Sequence, residues 1–208
     1  MNITIIGTGY VGLVSGTCFS EIGHDVVCFD INKSKIANLK KGKIPFYEEG
    51  LGDLVKKNLS SQNLNFSNSL KKALKSQFIF ICVDTPDDGS GNANLTNLYN
   101  VVDSLSKKLH QDSIIVFKST VPLGTNALMQ ERIREFTKGK FRVDVISNPE
   151  FLREGSAVND FMRPDRIVIG GDNLEACKKL ANLYKPLSRK ADKMFFTSVH
   201  SAELIKYA

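Results

Sequence analysis

The 208-residue sequence has no long hydrophobic run, few cysteines and histidines, and no low-complexity tract or internal repeat. Nowhere do roughly 20 apolar residues follow one another, the length a membrane helix needs, so no membrane association is expected. The apolar start lacks a basic leader, is broken by glycines and runs into Glu21, His24 and Asp25, so it is not read as a signal peptide. A cytoplasmic location is the expectation. Cys18, Cys28, Cys82 and Cys177 form no CxxC pair and sit in apolar segments. They read as buried free thiols of a reducing compartment. His24, His110 and His200 have no cysteine or histidine at ligand spacing. No metal is expected, and all three are read as solvent-exposed, His24 in the turn after the first helix.

A contiguous basic stripe is also missing. The net charge of +6 comes from small groups such as Lys40-Lys41, Lys56-Lys57, Lys71-Lys72, Lys107-Lys108 and Lys178-Lys179, without interleaved aromatics. Solvated helix faces explain them, and no nucleic-acid partner is expected. The positive balance suits a phosphorylated small substrate only weakly.

What is present is an alternation of β-rich and helical patterns. Apolar runs at Ile3–Ile6, Asp25–Phe29, Leu64–Ser67, Phe78–Val83, Ser113–Lys118, Arg142–Ile146, Arg166–Ile169 and Lys193–Thr197 predict strands. Several are continuous rather than alternating, as expected for strands covered on both faces. Helical patterns lie between them: Val11–Ile22, Lys33–Lys40, Gly50–Asn58, Leu70–Ser76, Thr96–Leu109, Asn126–Thr137 and Leu174–Tyr184. The alternation predicts an α/β fold, a doubly wound parallel sheet of Rossmann type. Ser198 reads as the cap of a last helix over Val199–Ala208.

The first crossover is the most informative. Gly7-Thr8-Gly9-Tyr10-Val11-Gly12 is a G-x-G-x-x-G between a strand and a helix, and a second strand ends at Asp30, eighteen residues after Gly12. Gly7 permits the tight turn, Gly9 the approach of backbone to a pyrophosphate, and Gly12 close packing of helix on strand. The helix N-terminus adds amide donors and positive potential. Asp30 then meets the adenosine ribose hydroxyls and repels a 2′-phosphate, which favours NAD over NADP. Three later stretches each follow a predicted strand: Val83-Asp84-Thr85-Pro86, Lys118-Ser119-Thr120-Val121-Pro122 and Ser147-Asn148-Pro149-Glu150-Phe151-Leu152-Arg153-Glu154-Gly155. Carboxyl ends of parallel strands line the ligand crevice, so these polar residues are placed to meet cofactor or substrate.

GTGYVGLVSG, the aspartate followed by Lys35, PFYEEGL, KSTVP, NPEFLREGSA, PDRIVIG and SAELIKYA occur in this order along the chain. With them the sequence resembles the UDP-glucose/GDP-mannose dehydrogenase family, and within it the UDP-glucose 6-dehydrogenases. The resemblance implies an NAD-dependent, four-electron oxidation of UDP-glucose to UDP-glucuronate. The C6 alcohol becomes an aldehyde, a cysteine thiolate traps it, a second hydride leaves, and the thioester is hydrolysed. By matching position it implies that Asp30 and Lys35 bind the adenosine ribose. The turn Gly7, Gly9, Tyr10, Val11 and Gly12 meets the cofactor. Val83, Thr85 and Pro86, with neighbouring Asp84 and Asp87, flank the dinucleotide together with Ser119, Thr120 and Val121, and Glu154 lies beside it. Glu150 acts on water or in proton transfer, Thr120 helps hold that water, and Lys206 stabilises charge on the substrate oxygen. Glu150, Phe151, Leu152, Arg153 and Glu154 border the sugar nucleotide, with Arg153 and Lys206 as candidates to serve its pyrophosphate.

The sequence also departs from that family. Its glycine-rich segment with the nucleophilic cysteine is missing, and none of the four cysteines is a credible substitute. The asparagine four residues beyond Lys206 and the UDP-binding half are missing too. Residues 1–198 therefore read as the NAD-binding domain with an α/β extension, and 199–208 as the start of a long central helix. A homodimer is implied for the complete enzyme, whereas this chain alone is expected to be inactive. Lys206 stands near the end of a helix that is expected to fray, so its ammonium is not expected to be held. Asp84 replaces a glycine or asparagine, with a charge that opposes a pyrophosphate, and Glu49 replaces a frequent proline. Other readings are a UDP-N-acetylmannosamine or GDP-mannose dehydrogenase, and a non-catalytic NAD-binding module.

Overall fold

The structure is a computed structural model that describes residues 1–188 and 193–207. Its first half runs β1 (Asn2–Ile6), α1 (Tyr10–Glu21), β2 (Asp25–Phe29), α2 (Lys33–Leu39), α3 (Leu51–Ser60), β3 (Leu64–Ser67), α4 (Leu70–Ala73) and β4 (Phe78–Ile81). Then follow α5 (Thr96–Ser106), β5 (Ser113–Phe117), α6 (Thr125–Thr137), β6 (Val143–Ser147), α7 (Ala157–Met162) and β7 (Ile167–Gly170). The last elements are α8 (Leu174–Tyr184), a 3-10 turn at Lys185–Leu187, β8 (Met194–Thr197) and α9 (Val199–Ile205). Ala208, the last residue of the expected final helix, lies outside the described residues.

The strands form one eight-stranded sheet in the order β3-β2-β1-β4-β5-β6-β7-β8. Successive strand residues point to opposite faces, and both faces are covered. Ile3, Ile5, Phe78, Phe80, Ile114 and Val116 join one core cluster, with Leu13, Phe19 and Tyr184. Ile6, Ile79, Ile81, Ile115 and Phe117 join the other, with Leu98, Val102, Met129 and Ile133. This double burial is why the strands read as continuous apolar runs, and each large side chain so buried contributes about 1.5–3 kcal/mol.

The wholly parallel sheet is corrected at one seam. β6 and β7 are antiparallel and meet only through Ser147 and Gly170, the last residue of each. β7 consequently projects past the carboxyl edge of β6 and carries β8 with it in parallel register. The chain between β6 and β7 starts at the carboxyl end of the sheet, where Asn148 donates to the Val168 carbonyl oxygen, and then packs α7 along α1, with Phe161 edge-on to Phe19. A short helix that the pattern does not announce, α7, forms within this segment. The helix expected over Leu70–Ser76 shrinks to the single turn of α4.

His24 is a second correction. It is 7% exposed, because the end of α8 covers the turn after α1: its Nε2 lies 2.9 Å from the Leu183 carbonyl oxygen. Burial holds its pKa below the usual histidine value. His110 and His200 are exposed, as are the paired lysines. All four cysteines are buried and free. Among the described residues no helix is long and apolar enough to cross a membrane, and no group of three His, Cys, Asp or Glu side chains could hold a metal.

Candidate functional site

β1 ends at Ile6 and Gly7 turns the chain with φ +96, a left-handed conformation that a side chain rarely adopts. A Cβ there would also stand 2.6 Å from the Cys82 carbonyl oxygen. At Gly12 a Cβ would collide with the Gly7 carbonyl oxygen, so α1 can sit this close to β1 only without one. Gly9 is the N-cap of α1; no side chain caps this end and the first turn holds no acid. Its free amides are a ready site for an anion.

Asp30 closes the other side of that turn. Its Oδ2 accepts hydrogen bonds from the Thr8 amide (3.1 Å) and the Thr8 hydroxyl (2.7 Å) and pairs with Lys35 Nζ (3.2 Å). Oδ1 accepts from the Asn32 amide at 2.9 Å. Burial alone would raise its pKa, but these donors hold it below the usual carboxylate value, so the wall carries a negative charge. Gly7, Gly9, Asp30 and Lys35 line a cavity of about 480 Å³, whose apolar walls include Ile31, Leu70 and Val101. Ile31 is largely exposed there. Such a pocket suits a flat ring with a polar ribose edge, and neither Ile31 nor Leu70 was singled out by the motif.

A second cavity of about 230 Å³ continues the crevice past Cys82, Val83 and Asp84, which both share, along Val11, Thr85, Pro86, Ser119, Thr120 and Glu150. The loops that build it are tied together. Thr85 Oγ1 donates to the Thr120 carbonyl oxygen (2.7 Å) and Ser119 Oγ to that of Val83 (2.6 Å). The Val121 side chain lies in the core. Asp84 points inward: its Oδ1 stands 3.3 Å from where a Cβ on Gly9 would be. One carboxylate therefore faces the uncapped N-terminus of α1.

A third cavity, about 300 Å³, shares Lys118 and Glu150 with the second and is lined further by Phe151, Leu152, Arg153, Arg166 and Tyr184. Glu150, which lines both cavities, is met there by Lys206, which lines neither. Lys206 Nζ donates to Glu150 Oε1 and to the Glu150 carbonyl oxygen, both at 2.6 Å, while the Leu152 amide donates to Oε2 at 2.7 Å. The expectation that this ammonium would not be held is thus overturned. α9 is fixed by Ser198, which caps it, and by Glu203, whose buried carboxylate accepts from the Gly124 and Asn126 amides at the start of α6. Arg153, by contrast, is mostly exposed and engages Asp160 through both Nε and Nη2. Glu154 is exposed, close enough for its charge to raise the Tyr10 pKa.

Two more buried charges, besides Glu203, escaped the sequence reading. Lys118, 4% exposed, donates to the Asn148 carbonyl oxygen (3.3 Å) and Oδ1 (3.1 Å). Burial lowers its pKa to about 8, partly offset by Glu150. Glu48 lies behind the loop and accepts hydrogen bonds from Tyr10, Gly155 and Ala157. KSTVP and PFYEEGL contain these residues, but a strand end and an acidic turn give no sign of burial. Burial also pushes up the Cys82 thiol, to about 12, and those of Cys18, Cys28 and Cys177. None is poised as a thiolate.

Residues 1–188 match the family model of the UDP-glucose/GDP-mannose dehydrogenase NAD binding domain. The chain is 48% identical over 207 residues to UDP-glucose 6-dehydrogenase TuaD of Bacillus subtilis, covering 99% of this chain and 44% of that protein. It is likewise 48% identical to the UDP-glucose 6-dehydrogenase of Rhizobium meliloti, covering all of this chain and 48% of that one. Among solved structures, a UDP-glucose dehydrogenase from Pyrobaculum islandicum superposes with a TM-score of 0.92 at 36% identity, over 99% of this chain and 48% of the other. A GDP-mannose dehydrogenase from Pseudomonas aeruginosa gives 0.92 at 34% identity, over 100% of this chain and 48% of the other. The chain spans about half the length of the curated relatives it matches. It belongs to the UDP-glucose/GDP-mannose dehydrogenase family, and its cofactor is NAD.

Proposed function

We propose that this chain is the cofactor half, with part of the substrate wall, of an NAD-dependent enzyme that oxidises UDP-glucose to UDP-glucuronate. In this reading residues 1–198 form the NAD domain and α9 begins the connection onward. The observation that carries it is the Glu150–Lys206 pair, whose glutamate borders both the cofactor crevice and the third cavity. A module that only bound NAD would have no need of it. The UDP-glucose assignment rests on the names of the curated relatives. The equal TM-scores of the UDP-glucose and GDP-mannose structures do not discriminate between sugars.

NAD when bound supplies the hydride acceptor. Asp30, with Lys35 beside it, would hold the ribose hydroxyls, and the uncapped end of α1 the pyrophosphate. An ammonium has three donors. Lys206 gives two to Glu150, which leaves one N–H for the substrate oxygen as negative charge develops there. Glu150 has one oxygen fixed by the Leu152 amide and the other against Lys206. Held in this orientation it can take a proton from water, with Thr120 on the adjoining wall.

The test is Glu150→Gln in the complete enzyme. The amide keeps the shape but cannot accept a proton, so turnover should fall about 10²–10⁴-fold, the usual worth of a general base. An enzyme-bound thioester should then accumulate, visible as an adduct by mass spectrometry. Unimpaired steady-state turnover would remove Glu150 from the chemistry.

A further inference from the structure

The loop from Asn148 to Ala157 carries every residue assigned to the sugar side except Lys206, and it is pinned at both ends. At the first end Asn148 is held by Lys118 and Tyr184 and donates to the Val168 carbonyl oxygen. At the far end stands Glu48, 2% exposed and more than a hundred residues away in sequence. Its Oε1 accepts from the Ala157 amide and its Oε2 from the Gly155 amide, each at 2.8 Å. Oε2 also accepts from the Tyr10 hydroxyl at 2.5 Å, and the same hydroxyl lies 3.1 Å from the Arg153 carbonyl oxygen. Tyr10 is the fourth residue of the glycine turn. One carboxylate thus joins the cofactor turn to the loop facing the substrate, and it lines none of the three cavities described above.

The chemistry of this clamp is directional. Burial would favour a neutral acid, yet the Tyr10 hydroxyl and the Gly155, Ala157 and Val158 amides keep the Glu48 pKa below its ordinary value. Tyr10, in turn, keeps its proton: burial and the neighbouring carboxylate raise its pKa. Charge-assisted bonds to backbone amides are short and fix position as well as energy.

We propose that Glu48 is a positioning residue: it sets the spacing between the glycine turn and the Glu150–Glu154 wall, so that the nicotinamide half of the cofactor and the sugar side share one frame. This rests on the reading of that loop as the substrate wall. With the adenosine at Asp30 and the pyrophosphate at Gly9, the remaining half of the dinucleotide must extend along Thr85, Thr120 and Glu150. Loosening the loop should therefore be felt at that half and not at the adenosine end.

The test uses the full 208-residue chain carrying Glu48→Ala, with Glu48→Gln as the milder variant. Gln keeps the volume but turns a donor toward one of the two amides. Affinities for NAD and for ADP-ribose, which lacks the nicotinamide, are measured by calorimetry, and amide exchange is followed by mass spectrometry. In Glu48→Ala the NAD affinity should fall about tenfold while ADP-ribose changes less than about twofold, the scale of one lost charge-assisted bond. Amides of residues 153–158 should exchange at least about tenfold faster while the sheet keeps its protection. Glu48→Gln should shift both readouts in the same direction by less. Equal weakening of NAD and ADP-ribose would mean general support only and would overturn the proposal, as would unchanged exchange over 153–158. If the unaltered chain bound neither ligand, the cofactor assignment would fail, and the exchange result alone would still decide whether Glu48 holds the loop.

Discussion

Asp84 should act as a brake on cofactor binding, and replacing it with Asn should release that brake. Its carboxylate faces Gly9, at the helix end that a pyrophosphate would occupy. At a separation of roughly 5 Å, two unit charges repel by about 0.8 kcal/mol in water and about 3 kcal/mol at an effective dielectric of 20. Asp84 is exposed, so the lower part of that range applies and salt screens it further. A change of about 1 kcal/mol corresponds to roughly fivefold tighter NAD binding in Asp84→Asn. The same carboxylate stabilises the N-terminus of α1 in the free protein by about 0.3–1 kcal/mol. The variant should therefore bind NAD more tightly and melt slightly earlier without it. Calorimetry at low and high salt separates the contributions: the gain should shrink as salt rises. Unchanged or weaker NAD binding, or a gain insensitive to salt, would show that the side chain swings clear of the pyrophosphate and refute the electrostatic reasoning.

Further outcomes follow from the same geometry. NAD should bind in clear preference to NADP, and Asp30→Ala should weaken NAD more than NADP, because Lys35 remains to meet an added phosphate; calorimetry with both cofactors checks this. The 208-residue chain should form no UDP-glucuronate from UDP-glucose and NAD, since all four of its thiols are buried with raised pKa values; chromatography of the reaction mixture reads the product. Lys118 should leave a signature in alkaline unfolding. Its folded pKa, about 8, lies below the unfolded value of 10.5, so between these the unfolded chain holds a proton that the folded chain has released. Stability contributed by this site rises with pH across that window. The unfolding free energy of the wild type relative to Lys118→Met should rise accordingly in denaturant titrations.

Much of the glycine turn and its flanking elements was legible in the sequence because the physics there is local. Gly7, Gly9 and Gly12 answer to a turn, an uncapped helix end and a helix contact within six residues, and Asp30 follows from one strand. The paired faces of β1, β4 and β5 show as unbroken apolar runs. The antiparallel seam at Ser147 and Gly170 was not legible, since apolar periodicity carries no strand direction. α7 is too short to establish a period. His24, Lys118, Glu48 and Glu203 look like surface residues by type. Each is buried only because a partner arrives from far along the chain: Leu183, Asn148, Gly155 and Gly124 respectively. The grip of Lys206 on Glu150 was missed for the same reason, because the caps that hold α9 cannot be weighed from helix pattern alone.

The most direct test of the account is an NMR titration of the 208-residue chain with NAD, followed at backbone amides. Shifts should concentrate in Gly7–Gly12, Asp30–Lys35, Val83–Pro86 and Ser119–Thr120, with smaller changes reaching Glu150 and Lys206. Shifts centred on the opposite edge of the sheet, or none at saturating NAD, would contradict it.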